Sequence, residues 1–362
     1  MVDQIYSFLE TTGPVFCLDI GSGTQDGLLA LPDERYDNWP RFVLPSPAQH
    51  VKKSIETATE RGVPIWLYGE NMGGGFSPAL KKHIETGLPV YATQSAALAV
   101  HDNPDRVRAM GITIQEETPK NCQPVYLSDY SQSFWRSFWL SMGLEEPRLT
   151  VIAAQDHGFS LTGNRANRML MWRDLLVRSS IPSEWFYNTV PGPLTRLATL
   201  KKQSGAYVCD TGTSALLAFF CDSGILNRSY REGVTLVNVG NTHVLAALVF
   251  KQRVCGLYEQ HTDLLSEEKL LADLTEFRLG WLPTEQVQAE SGHGTVYGNR
   301  PPEAGGFEPT YCTGPKRERF PNLGRFVNPC GDMMTAGCFG LINGLASYFS
   351  STKHEGSDHG RI

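Results

Sequence analysis

The sequence predicts an α/β protein of two lobes with a ligand-binding cleft between them. Apolar strand-like runs alternate with amphipathic helical stretches along most of the chain, a pattern typical of α/β domains. A strand–turn–strand segment with a glycine-containing turn occurs at 15–31 and again at 234–250. A chain of 362 residues, 41% of them hydrophobic, can also bury two cores, since domains usually run to about 100–200 residues. We expect a first lobe at 1–204, a second lobe at 205–350 and a disordered polar tail at 351–362.

Composition excludes several classes of partner. The net charge of −6 and the pI near 5.9 leave no basic face for nucleic acid or for an anionic membrane surface. The N-terminal segment lacks the basic and apolar regions of a signal peptide, and no window holds about 18 uncharged apolar residues. We therefore expect a cytoplasmic protein whose partners are small molecules, another protein or a second copy of itself.

The cysteines argue against one kind of cofactor. Eight are scattered along the chain and are predicted to be reduced thiols buried as small hydrophobic groups. Neither a C-x-x-C pair nor the C-x3-C-x2-C triplet of a radical-SAM iron–sulfur cluster occurs. Radical-SAM chemistry is therefore excluded.

The first half reads as a hairpin followed by alternating helices and strands. After the hairpin at 15–31, the periodicity predicts helices at 48–61, 77–86 and 166–178 and strands at 64–68, 89–93 and 149–158. The polar, interrupted region 103–146 is predicted to be an insertion. It carries the aromatic cluster Phe134, Trp135, Phe138 and Trp139, which is either a docking surface or the core of the insertion.

The second half restarts the pattern at Gly205. We predict a strand and the turn DTGT, a helix at 214–226, and three strands at 234–240, 244–250 and 253–260. A helix at 267–277 and a glycine- and proline-rich loop at 291–308 follow. The chain closes with a strand at 310–314, a basic turn and a helix at 331–346.

The first hairpin tip has the composition of a phosphate-binding turn. Glycine lets backbone N–H groups approach phosphate oxygens, and small hydroxyl side chains add donors; the candidates are Gly21, Ser22, Gly23 and Thr24. Asp19 and Asp26 flank the tip and are candidate ligands of a hydrated magnesium ion. The alternative is an Asx-type turn that only holds the hairpin together.

Four further segments follow the hairpin in a set order. They are the helix CDTGTSALLAFF at 209–220, the hairpin VTLVNVGNTHVLAALV at 234–249, the strand and turn TYCTGPKRERF at 310–320 and the helix NPCGDMMTAGCFGLI at 328–342. With the first hairpin, they resemble the two phosphate hairpins, the adenosine turn and the two connecting helices of the actin, sugar-kinase and DnaK-type chaperone superfamily. The resemblance spans 15–346.

This resemblance implies a ribonuclease H-like (actin-like ATPase) fold that binds ATP and Mg²⁺ between its lobes. By analogy with the first tip, the second phosphate tip comprises Gly240, Asn241 and Thr242. The adenosine turn places Gly314, Lys316 and Arg317 near the nucleotide. Two departures bear on the chemistry: Asn238 stands where actins and chaperones have an aspartate, and TGPKR replaces a double glycine.

Within the superfamily, the segments QDHG, TGPKR and GDMMTAGCFGL together are similar to a family catalogued as pyruvate formate-lyase activating enzymes. The chemistry in that description requires the cysteine triplet that is missing here. The resemblance therefore implies a fold and not that activity.

Asp210 is the candidate catalytic base. In sugar kinases, which the segment resembles, an aspartate at the start of the first connecting helix takes the proton from the attacking hydroxyl. The motif Asp-Thr-Gly-Thr-Ser is an equally good helix start, so Asp210 is a helix N-cap, a base, or both.

A second polar group follows the predicted strand at 149–158. Asp156 and His157, beside Gln155, lie at a strand end, where open α/β sheets place ligand-binding residues. The alternative is a buried, hydrogen-bonded histidine. The glycine run 73–75 also follows a strand and is either a substrate-facing loop or a tight turn.

Three histidines raise a further possibility. Some carbamoyl-transferring relatives hold a metal between their lobes with histidines and an aspartate, and neutral imidazoles suit iron or zinc. His243, His261 and His293 are candidates, although they lie far apart in sequence. The alternative is three isolated histidines at the surface or in packing roles.

These features leave three functions open. The first is a Mg²⁺-dependent small-molecule kinase with Asp210, Asp156 or His157 in the reaction. The second is a nucleotide-gated activator or partner-binding ATPase that docks through Trp135–Trp139. The third is carbamoyl or acyl transfer with a metal between the lobes.

Overall fold

Apolar runs separated by glycine-containing turns form the strands of a computed structural model that describes residues 2–161 and 163–358. The strands are β1 (Val15–Ile20), β2 (Thr24–Ala30), β3 (Arg41–Pro45), β4 (Ile65–Gly69), β5 (Val90–Ala92), β6 (Ile112–Ile114), β7 (Gln123–Leu127), β8 (Leu149–Ala154), β9 (Tyr207–Cys209), β10 (Val234–Val239), β11 (His243–Phe250), β12 (Arg253–His261), β13 (Gly294–Tyr297), β14 (Thr310–Thr313) and β15 (Arg325–Phe326). The helices are α1 (Val2–Thr12), α2 (Pro47–Glu60), α3 (Ser77–Glu85), α4 (Gln94–Ala97), α5 (Pro104–Ala109), α6 (Gln132–Met142), α7 (Asn164–Arg178), α8 (Thr195–Ser204), α9 (Thr211–Phe219), α10 (Ser223–Arg231), α11 (Glu267–Leu279), α12 (Thr284–Ala289) and α13 (Ala336–Asp358).

The first sheet has the order β3-β2-β1-β8-β9. Its first three strands are antiparallel, whereas β8 adds parallel to β1 and β9 adds parallel to β8. The register places Asp19 directly opposite Asp26 across the β1–β2 hairpin. The parallel pairing of β1 with β8 brings the loops that follow both strands to the same edge of the sheet.

The second sheet repeats this order as β12-β11-β10-β14-β15, with β13 added outside β12. Again three antiparallel strands are followed by two parallel ones. Two sheets with this order and these directions form the duplicated ribonuclease H-like, actin-like ATPase fold. The predicted fold class is confirmed, and the two glycine-containing hairpins occupy equivalent places in the two sheets.

The turn between β11 and β12 sets the register of the second sheet. Lys251 and Gln252 have φ angles of 50° and 60°, which is the left-handed backbone that a two-residue hairpin turn requires. A register shift at Leu248/Val249 then places His243 directly opposite His261. Two histidines 18 residues apart thus become neighbours on one sheet face.

A third, wholly parallel sheet with the order β6-β5-β4-β7 belongs to an insert formed by residues 47–127. The insert has a core of its own, which includes Ile55, Leu67, Phe76 and Leu127. The sequence places the insertion at 103–146. The observed insert begins earlier in the chain and is longer than predicted. The reason is that β4 and β5 pair with each other and with β7 and β6, and not with the first sheet.

The aromatic cluster on α6 packs on the first sheet. The side chains of Trp135 and Trp139 are only 2% and 3% exposed, and their rings lie 4.7 and 4.8 Å from the ring of Phe16 on β1. Residues four apart share one helix face, so both indoles are buried together. Of the two alternatives for the aromatic cluster, the burial of Trp135 and Trp139 supports core packing over a docking surface.

Small residues allow the two connecting helices to touch. A Cβ on Gly340 of α13 would lie 2.5 Å from the backbone N of Ala218 on α9, so any larger residue would separate the helices. α13 also packs against β1 and β2, and β9 pairs with β8. Residues 207–209 and the C-terminal helix thus belong to the first lobe, which differs from the expected boundary at 204/205.

Two helices have different ends from those predicted. The predicted helix 214–226 is two helices, because Asp222 begins a new one by accepting hydrogen bonds from the N–H groups of Gly224 and Ile225. β13 lies within the predicted loop 291–308. α13 runs to Asp358 and so continues into the predicted tail. The rest of that tail, 359–362, lies outside the described residues.

None of the helices in the described ranges combines the length and the apolar character that crossing a bilayer requires.

Candidate functional site

The cleft between the two lobes has a volume of about 1120 Å³ and is lined by both glycine-containing hairpins. Its other walls are loops at 71–75 and 98–102 of the insert, the segment 155–158 after β8, and the segment 313–315 after β14. The lining includes most of the predicted site residues, namely Asp19, Gly21, Ser22, Thr24, Asp26, Asp156, His157, Gly240, Asn241, Thr242 and Gly314.

The two hairpin tips face each other across the cleft. The Ser22 Oγ and Thr242 Oγ1 atoms are 3.3 Å apart, although the residues are 220 positions apart in sequence. Each tip closes in the same way: Gly21 N donates to the Thr24 carbonyl and Gly240 N donates to the His243 carbonyl. The matched geometry follows from the matched places of the two hairpins in their sheets.

Gly23, at the turn of the first tip, is hydrogen-bonded to the residue that precedes α2. Its carbonyl accepts a hydrogen bond from Ser46 N at the start of α2. On the other side, an added Cβ at Gly23 would lie 3.6 Å from the Asn241 Nδ2 of the opposite tip. This is an ordinary van der Waals distance, so the two tips approach each other closely without requiring glycine at this position.

A half-buried pair of carboxylates lies behind the first tip. Asp19 accepts hydrogen bonds from Thr211 Oγ1 at 2.8 Å and from Ser214 Oγ at 2.6 Å. Burial raises its pKa to about 6. Burial and the charge of Asp19 raise the pKa of Asp26 to about 7. The buried Asp26 Oδ1 atom has no hydrogen-bond partner among the described residues. Two oxygen ligands with an unpaired acceptor fit a magnesium ion, which would also neutralise the repulsion between them.

The segment after β14 forms the wall expected for the nucleotide base, but two predicted residues turn away from it. Gly314 has a φ of 105°, and a Cβ there would lie 2.4 Å from the Val239 carbonyl oxygen. Lys316 Nζ pairs with Asp263 Oδ1 at 2.9 Å, and Arg317 Nη1 donates to the Gly314 carbonyl at 3.0 Å. Gly314 lines the cleft; Lys316 and Arg317 instead fix the turn.

Asp210 serves as a helix cap and as the partner of an arginine. Its Oδ1 atom accepts from Gly212 N at 2.8 Å and from Arg168 Nη2 at 2.9 Å. Its Oδ2 atom accepts from Arg168 Nη1 and from Asp156 N. The side chain is fully buried and does not line the cleft. This geometry supports the helix-cap alternative for Asp210 and disfavours a catalytic base, because four donors already engage its lone pairs.

Asp156 is engaged in a similar way. Its carboxylate accepts from Gly158 N at 2.8 Å and from Leu197 N, in the first turn of α8, at 3.0 Å. Burial raises the pKa of Asp156. The side chain lies at the cleft wall, but its hydrogen bonds order the loop after β8 and the start of α8. This geometry supports a positioning role and not that of a base.

A buried charge network joins the two lobes, and three of its members, Arg168, Trp172 and Glu259, were missed from sequence. Arg168 of α7 donates through Nε to Glu259 of β12 at 2.8 Å while holding Asp210 of the first lobe. Trp172 Nε1 and Gln155 Nε2 also donate to the Glu259 carboxylate, at 2.7 and 3.0 Å. Burial opposes ionisation of Glu259, but the Arg168 charge holds its pKa well below its usual range. A lone glutamate in the otherwise apolar strand VCGLYEQ is the signal that could have found it.

The glycine run of the insert lines the cleft and is tied to the first lobe. Gly73 N donates a hydrogen bond to the Asp129 carboxylate. The same carboxylate accepts hydrogen bonds from Arg196 Nε at 2.6 Å and from Arg196 Nη2 at 3.0 Å. Arg196 Nη1 in turn donates to the Gln155 carbonyl at 2.7 Å. These bonds support the substrate-facing alternative for 73–75, because they fix the loop against the strand edge that carries His157.

Four histidines converge at the cleft floor beside the second tip. His243 and His261 are cross-strand partners, His293 precedes β13, and His157 comes from the other lobe. Their ring centroids lie 4.5–5.6 Å apart in the contacting pairs. Burial lowers the pKa of His243 to about 3 and that of His293 to about 4, and it also lowers the pKa of His157 and His261. These rings are therefore neutral near pH 7.

Known structures resemble this chain only distantly. A Bacteroides thetaiotaomicron protein with an actin-like ATPase fold and unknown function is 9% identical, with 92% of this chain and 97% of that chain covered and a TM-score of 0.39. The Aquifex aeolicus member of the Ppx/GppA family is 10% identical over 93% and 91% of the two chains, with a TM-score of 0.27. An inorganic polyphosphate/ATP-glucomannokinase from Arthrobacter sp. strain KM is 13% identical over 94% and 99%, with a TM-score of 0.31. At these scores, the fold assignment rests on the strand order of this chain itself.

Sequence comparison places the chain in a family. No curated protein matches it. Residues 72–319, well over half of the chain, match the family described as "Putative pyruvate format-lyase activating enzyme (DUF1786)". The matched region contains the second tip, the cleft histidines and the Arg168–Glu259 network. The chain belongs to this family.

Proposed function

We propose that this protein binds a nucleoside triphosphate with Mg²⁺ in the cleft and transfers a phosphoryl group from it to a small molecule. The observation that carries the proposal is the pair of facing tips, with Ser22 Oγ 3.3 Å from Thr242 Oγ1 and the Asp19–Asp26 carboxylates behind them. Both tips extend beyond the last paired residues of their hairpins, so their amides lie at the turn rather than in the strand ladder.

The polar tips suit a polyphosphate because they offer many donors without a fixed positive charge. Backbone N–H groups and the hydroxyls of Ser22, Thr24 and Thr242 can surround phosphate oxygens from two sides. The magnesium ion supplies the positive charge, and Asp19 and Asp26 would hold it, directly or through water. The raised pKa of Asp26 and its unpartnered Oδ1 support this role.

The acceptor substrate is assigned to the part of the cleft lined by the insert. Loops at 71–75 and 98–102 lie there, together with the exposed Arg165 side chain and with Arg106. An arginine-lined wall suits an acceptor that carries a carboxylate or phosphate. The insert differs from the two repeated sheets, which is consistent with a specificity element.

The histidine cluster favours a second candidate reaction. Neither Asp210 nor Asp156 has the geometry of a free proton acceptor, whereas four neutral imidazoles lie beside the second tip. Acyl or carbamoyl transfer through an adenylated intermediate would use this end of the cleft. That reaction releases pyrophosphate, whereas phosphoryl transfer releases the nucleoside diphosphate.

Calorimetry and product analysis test the proposal. Purified full-length protein is titrated with ATP and GTP in the presence and absence of Mg²⁺, and it is then incubated with Mg²⁺, nucleotide and a panel of small anionic metabolites. We expect Mg²⁺-dependent binding and a metabolite that raises nucleoside diphosphate production above the basal rate. Pyrophosphate release would support the second candidate. Binding without stimulation by any metabolite would point to a nucleotide-gated protein, and no binding would refute the nucleotide site.

A further inference from the structure

The convergence of histidines from both lobes is a feature that nucleotide binding does not use. His243 is the first residue of β11, His293 immediately precedes β13, and His157 reaches the same point from the loop after β8. The ring centroids of His293 lie 5.1 Å from His157 and 5.0 Å from His243. No sequence spacing links these three positions.

The ring nitrogens lie close enough for a shared ligand. One nitrogen from each of His157, His243 and His293 lies within 4.8 Å of the other two. An ion at the centre of such a triangle is at most about 2.8 Å from each nitrogen, about 0.7 Å farther than a zinc–imidazole bond. Small side-chain rotations close that gap without moving the sheets.

Buried nitrogens in this group have no other partner. His293 is only 2% exposed, and neither of its ring nitrogens has a hydrogen bond within the described part of the chain. The buried His243 Nε2 also has no hydrogen bond within the described part of the chain. Buried polar atoms in folded proteins almost always have a partner, and an exception points to a missing ion or water.

The surroundings favour a metal ion over a water molecule as that partner. A neutral imidazole offers one ring-nitrogen lone pair to a cation. Glu259 is close to the group, since its backbone carbonyl accepts a hydrogen bond from His293 N at 3.2 Å, and its carboxylate would supply compensating negative charge. Arg168 and Trp172 donate to its Oε2 atom and Gln155 donates to its Oε1 atom, which makes Glu259 an electrostatic neighbour of the ion and not a ligand. A set of imidazoles is the ligand chemistry of zinc and other late first-row metals, whereas magnesium prefers the oxygens of Asp19 and Asp26.

We propose that His157, His243 and His293 bind a divalent first-row transition-metal ion at the floor of the cleft. His157 and His243 line the cleft, so the remaining coordination position faces it. Three protein ligands with an open position are typical of catalytic metal sites, where the ion binds water or a substrate oxygen. Because His157 belongs to the first lobe and the other two to the second, the ion also links the lobes. This site stands whether or not the cleft binds a nucleotide.

Metal titration of the full-length chain tests the site. The protein is prepared without a polyhistidine tag, stripped with chelator and titrated separately with Zn²⁺ and Co²⁺, with Co²⁺ followed by visible absorption. We expect one equivalent to bind. His243→Ala and His293→Ala should each weaken binding by more than about 100-fold, beyond the 10–100-fold typical of outer-shell changes. The control His50→Ala removes an exposed histidine of α2 and should leave affinity unchanged.

Two results separate this site from the magnesium site and from loss of folding. Asp26→Asn should leave Zn²⁺ affinity unchanged. A loss of Zn²⁺ affinity in this variant would contradict the proposal. If an alanine variant unfolds, X-ray absorption spectroscopy on the cobalt-loaded wild type identifies the ligands instead. We expect three imidazole nitrogens around the ion. An oxygen-only shell, no binding by the wild type, or full affinity in the His243→Ala/His293→Ala double variant would overturn the assignment.

Discussion

Arg168 donates hydrogen bonds from both of its terminal nitrogens to the carboxylate of Asp210, at the position where the sequence predicts a catalytic base. The same arginine reaches Glu259 on the second sheet through Nε. All three side chains are essentially inaccessible to water. One buried cation therefore joins a helix cap of the first lobe to a strand of the second, and this network has consequences for stability that can be measured.

Asp210→Asn should destabilise the protein by about 3–5 kcal/mol, because Arg168 and Glu259 would lose a charge partner in a buried site. The matched control is Asp222→Asn, which changes the half-buried cap of α10. Asparagine caps helices as well as aspartate does, so the control should lose less than about 0.5 kcal/mol. Urea unfolding measures both. Equal small losses would show that the Arg168–Asp210 pair contributes little.

Asp26→Asn should weaken Mg²⁺–nucleotide binding by at least about 10-fold while changing the affinity for Mg²⁺-free nucleotide little, because it removes a charged oxygen ligand. The variant should be at least as stable as the wild type, since it removes repulsion from Asp19. Calorimetric titration with and without Mg²⁺ gives both affinities. Exposed Asp37, on a short turn before β3, provides the control Asp37→Asn.

Gly337→Ala should disrupt the site behind the first tip. An added Cβ would lie 2.5 Å from Asp19 Oδ2 and 3.3 Å from Ser214 Oγ. Alanine improves helix propensity by about 1 kcal/mol, but overpacking costs about 1–3 kcal/mol, so the net change should be a loss of stability and of nucleotide affinity. Gly192→Ala is the control, because nothing lies within 4 Å of its added Cβ. A stabilised Gly337→Ala variant with normal binding would contradict the close approach of α13 to Asp19.

Trp135→Ala should cost about 3–5 kcal/mol, since the indole is 2% exposed and packs on Phe16. Phe134→Ala, one position earlier on the same helix, should cost much less because that ring is 46% exposed. Thermal unfolding of both variants tests the assignment of α6 to the core. Similar melting temperatures for the two would argue that the indole faces a partner.

Zn²⁺ at about 100 times its dissociation constant should stabilise the wild type by about 2.7 kcal/mol, because the ion binds the folded chain alone. His157→Ala should abolish this gain, even though His157 lies on the lobe that carries neither of the other ligands. Denaturant unfolding with and without the ion provides the measurement. A gain that persists in His157→Ala would place the ion elsewhere.

Local patterns predicted much of the fold. Alternating apolar runs identified β1, β8, β10, β11 and β12, and the glycine-containing turns located both hairpin tips, because strand periodicity and turn chemistry are properties of neighbouring residues. The limits of the insert were missed because the pairing of β4 with β5 and β7 involves residues up to 58 positions apart. The preference of β4 for one sheet over another is a packing property that no local pattern contains.

The candidate site divides in the same way. Asp19, Asp26 and the two tips were predictable, because a phosphate-binding turn is built from consecutive residues. The sequence by itself also determined that the chain lacks the cysteine triplet of radical-SAM enzymes. Only the tertiary structure decided that Asp210 is held by Arg168 and that His157, His243 and His293 meet at one point. Both outcomes depend on how the two sheets face each other, and the free energy that sets this arrangement comes from contacts between distant residues.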